Sequence, residues 1–357
     1  MLQRTAKRLL GGAAAAVDRA ATLAAYAGSQ GARRHSRAES LGHTARLEAL
    51  EAIARMYPAE RQDYFRAARP IVPSERVVRW SAGGYRVVDL SWSSDYEVFE
   101  PGVRERFERH AENRAAAARG FFGPSPRPAA ILIHGYMAGA YDLEQRVWPI
   151  EWLDRIGLDA LLFVLPFHAV RGSPRRLGKP PPFPGSDPRI TNEGFRQAMG
   201  DLTDLVAWLR GRGHPAVGVL GMSLGGYTTS LFATVESELA FAVPIIPLAS
   251  LADFARDQGR LGQAPHETEL QHRALEEAHR VVSPLHRTPR IPGERMLVVG
   301  ARADRITPVV HARRLAHHFG APLESWHGGH LLQFGRSEKF RRIGRLLDEL
   351  ALTNRAR

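Results

Sequence analysis

From residue 129 onward, short apolar runs alternate with longer stretches of helical spacing. Each run has the length and unbroken apolar character of a strand buried on both faces of a sheet: AAILIHG, ALLFVLP, AVGVLG, AFAVPII and RMLVVGA. The segments between them, such as FRQAMGDLTDLVAWLR, repeat their apolar residues with the helical period. This alternation predicts an α/β fold with a mostly parallel central sheet flanked by helices.

The first 70 residues follow a different pattern, which predicts an N-terminal helical extension. Four apolar residues of RLEALEAIARMY share one helical face: Leu47, Leu50, Ile53 and Met56. We therefore predict two units, the extension over 1–70 and an α/β domain over 71–357. At the start of the second unit, ERVVRWSAGGYRVVDLSW predicts a β-hairpin around Gly83 and Gly84, and 103–119 predict a helix.

A proline-rich segment over 166–190 interrupts the regular alternation. Its seven prolines and three glycines exclude a long helix or strand, and we predict a loop that forms a lid or a wall of a site, with exposed prolines. His168 follows the strand ALLFVL and either contacts a substrate or orders the loop by bonding to its backbone. For Arg171, Arg175 and Arg176 we favour a solvated loop face over an anion-binding role.

The segment Gly221-Met222-Ser223-Leu224-Gly225 lies between a strand-like run and a helix-like run. This is the Gly-x-Ser-x-Gly pattern of a nucleophile elbow, in which a serine on a tight strand-to-helix turn needs small neighbours. The turn also directs the Leu224 N–H, at the positive end of the helix, towards the same point. The alternative is a glycine-rich helix start with an N-capping serine.

A nucleophilic serine needs a base, and the base needs a carboxylate to hold its tautomer. Asp304 follows the strand in MLVVGARADRITP and should lie at the same sheet edge as Ser223. The loop SWHGGHLLQF offers two candidate bases, His327 and His330. We favour His330 because the glycine pair before it lets an imidazole approach the elbow closely, and we interpret His327 as a neighbour. The loop after AAILIHG supplies a second backbone N–H, which we assign to Tyr136.

Four motifs resemble, in order and spacing, those of the α/β-hydrolase superfamily of serine hydrolases: ILIHGY, GMSLGG, GARADRITP and HGGH. The resemblance covers about residues 76–353 and excludes the first 70. It implies the α/β-hydrolase fold, a catalytic domain over 71–357 and an esterase- or lipase-like activity. The roles implied are nucleophile, acid and base for Ser223, Asp304 and His330, and oxyanion-hole donors for Tyr136 and Leu224.

The predicted function is therefore cleavage of a carboxylic ester through an acyl-enzyme on Ser223. One alternative is a non-catalytic, hydrolase-like binding protein. Another is an acyltransferase with the same triad, in which a different nucleophile resolves the acyl-enzyme. The expected partner is a small-molecule ester or lipid, and no cofactor is predicted.

Charge and composition narrow the partners further. The chain has no cysteine, which excludes disulfides and thiolate chemistry, and its net charge of +12 is dispersed without a nucleic-acid-binding signature. We expect a cytoplasmic protein without a nucleic-acid partner. The basic residues of 1–40 flank the apolar stretch LLGGAAAAV, which either packs as a helix on the protein or contacts an anionic membrane surface weakly. No apolar run reaches the roughly 20 residues that a membrane span requires.

A metal site is not predicted either. The segment APHETELQHRALEEAHR contains three histidines, His266, His272 and His279, among several glutamates, but no HExxH or comparable ligand set. We interpret it as an exposed charged helix. Asp253, after the run AFAVPII, occupies a position from which some members of the superfamily supply the acid, and we interpret it as a charge at a helix N-terminus.

Overall fold

A nine-stranded sheet runs through the part of the chain that the computed structural model describes, residues 17–18, 41–57, 63–81, 84–173, 180–331 and 336–354. The strands are β1 (Ser74–Trp80), β2 (Arg86–Ser93), β3 (Ala115–Phe122), β4 (Ala129–Ile133), β5 (Asp159–Phe163), β6 (Val217–Met222), β7 (Ala242–Ile245), β8 (Val298–Ala301) and β9 (Leu323–Trp326). The α-helices are α1 (His43–Met56), α2 (Arg104–Glu108), α3 (Tyr141–Val147), α4 (Ile150–Arg155), α5 (Pro188–Gly211), α6 (Leu224–Phe232), α7 (Leu251–Asp257), α8 (Pro265–Ala278), α9 (Val309–Phe319) and α10 (Arg336–Glu349).

The strand order is β1-β2-β3-β5-β4-β6-β7-β8-β9. Strands β4 to β9 are parallel to one another, whereas β1, β2 and β3 pair in antiparallel fashion and β3 joins the parallel part through β5. The predicted α/β class with a mostly parallel sheet is confirmed. Because β5 and β6 lie on opposite sides of β4, loops from the carboxyl ends of all three strands meet at one edge of the sheet.

The five apolar runs are strands because both faces of the sheet are covered. Along β4, Ile131 and Ile133 point into one hydrophobic core, and Ala130 and Leu132 point into the other. Helices α5 and α6 contribute to the first core, and α4 and α10 to the second. A strand buried in this way needs no polar alternation, so its sequence is continuously apolar.

The helix predicted over 103–119 is wrong beyond its first turns. Only Arg104–Glu108 form an α-helix, and Ala115–Phe122 form β3 between β2 and β5. Alanine favours helices intrinsically, but propensity is a weak preference that tertiary packing overrides. Here both neighbouring strands bond to the segment, and the small side chains of Ala116 and Ala118 are fully buried.

Helix α1 is the main described part of the predicted N-terminal extension, and it packs against α8. Of the four residues that share one helical face, Leu50 and Ile53 are buried, whereas Met56, at the end of the helix, is 41% exposed. Beyond the helix, Tyr57 donates a hydrogen bond of 2.9 Å to the buried Glu193 carboxylate on α5.

Most of the N-terminal apolar stretch LLGGAAAAV lies outside the described residues. No helix in the described ranges is long and apolar enough to cross a membrane.

The proline-rich segment is partly built into the core. Helix α5 begins at Pro188, inside the predicted loop, with Asp187 capping the Arg189 N–H at 3.0 Å. Pro181 is buried, so the expectation of exposed prolines was wrong there. Phe183 is fully buried, and its ring lies 4.9 Å from that of Phe195. The role of the loop as a lid or site wall stays a prediction.

Candidate active site

Ser223 lies on a sharp turn between β6 and α6, with φ 56° and ψ −113°, a conformation that L-residues rarely adopt. A Cβ at Gly221 would lie 2.0 Å from the Gly225 carbonyl oxygen, and one at Gly225 would lie 2.1 Å from the Ile133 carbonyl oxygen. Both positions therefore require glycine. The Ser223 hydroxyl makes no capping hydrogen bond to α6, which excludes the alternative of an N-capping serine.

The structure brings Ser223, His330 and Asp304 together in one hydrogen-bonded chain. His330 Nε2 lies 3.0 Å from Ser223 Oγ, and His330 Nδ1 lies 2.8 Å from Asp304 Oδ2. The carboxylate can only accept, so Nδ1 carries the proton and Nε2 is left to accept from the serine hydroxyl. His330 and Asp304 are both buried, whereas the other candidate base, His327, is exposed.

The Asp304 carboxylate is fixed by its own loop. Its Oδ1 accepts the N–H groups of Ile306 at 2.8 Å and Thr307 at 2.7 Å. The buried Thr307 hydroxyl lies 3.0 Å from Asp304 Oδ2 and 3.0 Å from His330 Nδ1. Sequence reasoning did not identify Thr307. The Asp-x-x-Thr spacing in DRIT, typical of a local side-chain-to-backbone turn, was the available signal.

The loop after β4 carries Gly135 and Tyr136 to the elbow, since a Cβ at Gly135 would lie 3.6 Å from Ser223 Cβ. His134, at the end of β4, is buried and holds this loop. Its Nε2 accepts the Leu165 N–H at 3.0 Å, so Nδ1 carries the proton and donates to the Gly135 carbonyl oxygen at 2.7 Å. Burial lowers the pKa of His134 to about 4, which keeps the imidazole neutral. Leu224 is the first residue of α6, directly after Ser223.

His168 lies beside this loop and is fully buried. Its Nδ1 is 2.8 Å from the Pro166 carbonyl oxygen, the backbone bond that the loop-ordering alternative predicts. The imidazole ring also packs edge-on against the rings of Tyr136 and Phe183, at centroid distances of 6.0 and 6.2 Å. His168 thereby connects the loop after β4 to the proline-rich segment.

Arg171 is not on a solvated loop face, and that prediction was wrong. The side chain is fully buried and pairs with the buried Asp201 carboxylate of α5 at 2.8 Å. Arg171 also donates to the Val164 carbonyl oxygen at 3.1 Å, and Asp201 accepts the Ser94 hydroxyl at 2.6 Å. Burial lowers the pKa of Arg171 and raises that of Asp201, and their mutual attraction opposes both shifts. Arg175 and Arg176 lie outside the described residues.

Packing interactions account for Asp253 on α7, for His272 on α8 and for His279, which directly follows α8. Asp253 is buried near the start of α7, where it accepts from His272 Nε2 at 2.8 Å and also pairs with Arg256 and Arg314. His279 is buried and donates from Nδ1 to Asn192 Oδ1 at 2.8 Å, so the interpretation as an exposed charged helix was wrong at this residue. His266 is exposed. Across the described ranges no group of three or more potential metal ligands converges.

Comparison with known proteins shows which solved structures share this fold. No family model matches the sequence. Among the solved structures that share the fold are acetyl xylan esterases from Paenibacillus sp. R4 and Thermoanaerobacterium sp. JW/SL YS485. They have TM-scores of 0.54 and 0.55 and 17% identity each, and the alignments cover 83% and 85% of this chain and 92% of each esterase. The chain has the α/β-hydrolase fold, as the sequence motifs predicted.

Two sequence relatives have a higher identity to this chain than the esterases do. Uncharacterized proteins from two strains of Mycobacterium tuberculosis are 33% identical to this chain over 251 residues, which is 68% of the chain. The aligned part covers 59% of the length of these relatives.

Proposed function

We propose that the protein is a serine hydrolase that cleaves carboxylic esters through an acyl-enzyme on Ser223. The single observation that carries the proposal is the contact chain from Ser223 Oγ to His330 Nε2 at 3.0 Å and from His330 Nδ1 to Asp304 Oδ2 at 2.8 Å. A nucleophile, a base and a carboxylate in this geometry are the requirements for activating a serine at neutral pH.

In the proposed reaction, His330 Nε2 accepts the hydroxyl proton while Ser223 Oγ attacks the acyl carbon. The tetrahedral intermediate collapses when the bond to the alcohol oxygen breaks and His330 returns the proton to that oxygen. Water then attacks the acyl-enzyme with His330 again as base, and the carboxylic acid leaves while the proton returns to Ser223. Asp304 stabilises the imidazolium that forms in both steps.

The proposed oxyanion-hole donors are the backbone N–H groups of Leu224 and Tyr136. Leu224 is the first residue of α6, where the initial N–H groups have no partner within the helix and the helix dipole favours negative charge. Tyr136 follows Gly135, which lies against the Ser223 side chain. Both donors would lie on the same side of the attacked carbonyl, where the negative charge develops.

Exposed apolar side chains support an apolar group on the substrate. Tyr136 and Met137, on the loop after β4, are 42% and 54% exposed, and Leu331, next to the proposed base, is 52% exposed. In the sequence, Tyr136 and Met137 directly follow Gly135, and Leu331 directly follows His330, so the apolar side chains come from two separate loops of the proposed site. An ester is favoured over an amide because an alcohol leaves more readily than an amine.

A fluorophosphonate probe tests the proposal directly. We expect covalent labelling of the natural protein and loss of both labelling and ester hydrolysis in Ser223→Ala, with an unchanged melting temperature. Ser186→Ala, which removes an exposed hydroxyl in the proline-rich segment, is the matched control and should be labelled normally. A series of esters of increasing acyl length then measures the apolar preference. Undiminished turnover in Ser223→Ala would falsify the serine mechanism.

A further inference from the structure

Asp18 lies against the loops that carry the proposed acid and base, although it precedes them by almost the whole chain. Of residues 1–40 the structure describes Val17 and Asp18, both helical. The Asp18 side chain is fully buried, whereas Val17 is 38% exposed. In the sequence, Asp18 only interrupts an apolar stretch, and nothing in the local pattern indicates a role in the site.

The Asp18 carboxylate accepts three backbone N–H groups. Its Oδ2 accepts from His330 at 2.7 Å and from Arg305 at 3.3 Å, and its Oδ1 accepts from Leu331 at 3.0 Å. Arg305 follows the proposed acid directly, and His330 is the proposed base. One carboxylate therefore joins the loop after β8 to the loop after β9.

The acceptor for these three N–H groups comes from outside both loops. Both follow parallel strand ends, where the backbone has left the ladder of the sheet and its N–H groups need other partners. A carboxylate with two oxygens can accept from adjacent N–H groups at once, and an ionised acceptor makes shorter and stronger bonds than a neutral one. The acceptor comes from a residue 312 positions before His330.

We propose that Asp18 is a positioning residue for the triad: it fixes the His330 backbone so that the imidazole lies between Ser223 and Asp304. Asp18 thereby completes the active site from outside the loops that carry the proposed acid and base. The contact with His330 is through the backbone, so Asp18 leaves Nε2 and Nδ1 free for their partners in the triad. This inference rests on the proposed ester hydrolysis.

The kinetic test compares Asp18→Ala and Asp18→Asn with the natural protein on a short-chain ester. Misplacing a catalytic group by about 1 Å costs on the order of 100-fold in rate, so we expect kcat to fall roughly 10- to 100-fold in Asp18→Ala. KM should change less than about twofold, because the Asp18 side chain is fully buried. Asp18→Asn retains one acceptor oxygen and should recover part of kcat. Val17→Ala, which perturbs the neighbouring half-exposed residue, should behave as the natural protein.

Amide hydrogen exchange gives a readout that does not depend on turnover. The amides of Arg305, His330 and Leu331 should exchange faster in Asp18→Asn and Asp18→Ala than in the natural protein or in Val17→Ala. If the natural protein neither labels nor hydrolyses an ester, but these three amides still exchange faster in the Asp18 variants, the proposed function fails while the structural role of Asp18 stands. Normal kcat in Asp18→Ala, or an equal loss in Val17→Ala, would overturn the positioning role. If Asp18→Ala does not fold, Asp18→Asn carries both measurements.

Discussion

Thr307 Oγ1 lies 3.0 Å from His330 Nδ1, so the proposed base has a second buried partner besides Asp304. The same oxygen lies 3.0 Å from Asp304 Oδ2 and 3.0 Å from the Ile246 carbonyl oxygen. A hydroxyl has one proton to donate, while its lone pairs can accept. Thr307 thus contacts both the imidazole of His330 and the carboxylate of Asp304.

We expect Thr307→Val to lower kcat about 5- to 30-fold, since valine keeps the shape but leaves buried acceptors short of a donor, a cost of about 1–2 kcal/mol. Thr307→Ser retains the hydroxyl and should stay within about threefold of the natural kcat. Steady-state kinetics on one ester measures both variants. Equal activity of Thr307→Val and the natural protein would show that the hydroxyl does not support the triad.

The two histidines of HGGH should differ sharply in their effect. His330→Ala removes the proposed base and should reduce kcat by several orders of magnitude, because such a group acts together with its nucleophile. His327→Ala is the matched control, since that side chain is exposed in the same loop. Turnover and fluorophosphonate labelling measure the difference. A large loss in His327→Ala with a silent His330→Ala would exchange the two assignments.

The proline-rich segment should contribute to stability through Phe183. Phe183→Ala removes a fully buried ring between His168 and Phe195, and we expect a loss of about 3–5 kcal/mol in the free energy of unfolding. Pro180→Ala, at an exposed position of the same segment, should change it by less than about 0.5 kcal/mol. Urea unfolding compares the two. A small effect of Phe183→Ala would mean that the segment is only loosely attached.

Acid should destabilise the protein through buried neutral histidines. Burial lowers the pKa of His134 to about 4 and that of His279 to about 3, below the ordinary 6.5. The unfolded chain therefore binds more protons below pH 6.5, and stability falls as the pH drops through that value. Each histidine should lower the free energy of unfolding by about 2 kcal/mol between pH 7 and pH 5.

Urea unfolding at pH 7, 6 and 5 measures this slope. His279→Gln removes one of these titrating groups and should flatten the dependence, even if it lowers stability at pH 7. A slope that is the same in His279→Gln and in the natural protein would assign the acid sensitivity to other groups.

The basic N-terminal segment should not prefer an anionic membrane. The buried Asp18 contact with His330 favours the alternative in which this part of the chain packs on the protein. We expect equal, low flotation with neutral and with anionic vesicles. The prediction is contradicted if the protein binds anionic vesicles, if salt weakens this binding, and if changing Arg4, Lys7 and Arg8 to glutamate abolishes it. Each basic residue near such a surface contributes about 1 kcal/mol at most.

The sequence predicted the features that depend on local steric limits or on the spacing of apolar residues. The five buried strands appeared as unbroken apolar runs, and the elbow appeared as glycines flanking Ser223. Prediction failed where tertiary burial overrides local preference. The alanine run of β3 predicts a helix but forms a strand. Arg171 was predicted to be a surface charge, but it is buried and pairs with Asp201, 30 positions away.

By itself, the sequence determined the α/β class, the turn at Ser223 and the order of the candidate acid and base, because each depends on neighbouring residues or on a strand end. Only the tertiary structure decided that His330, 107 positions from Ser223, reaches its hydroxyl while His327 does not. It also decided that Asp18 meets the His330 backbone across 312 positions. No periodicity encodes such contacts, since they depend on how the strands are ordered and on which loops their carboxyl ends bring together.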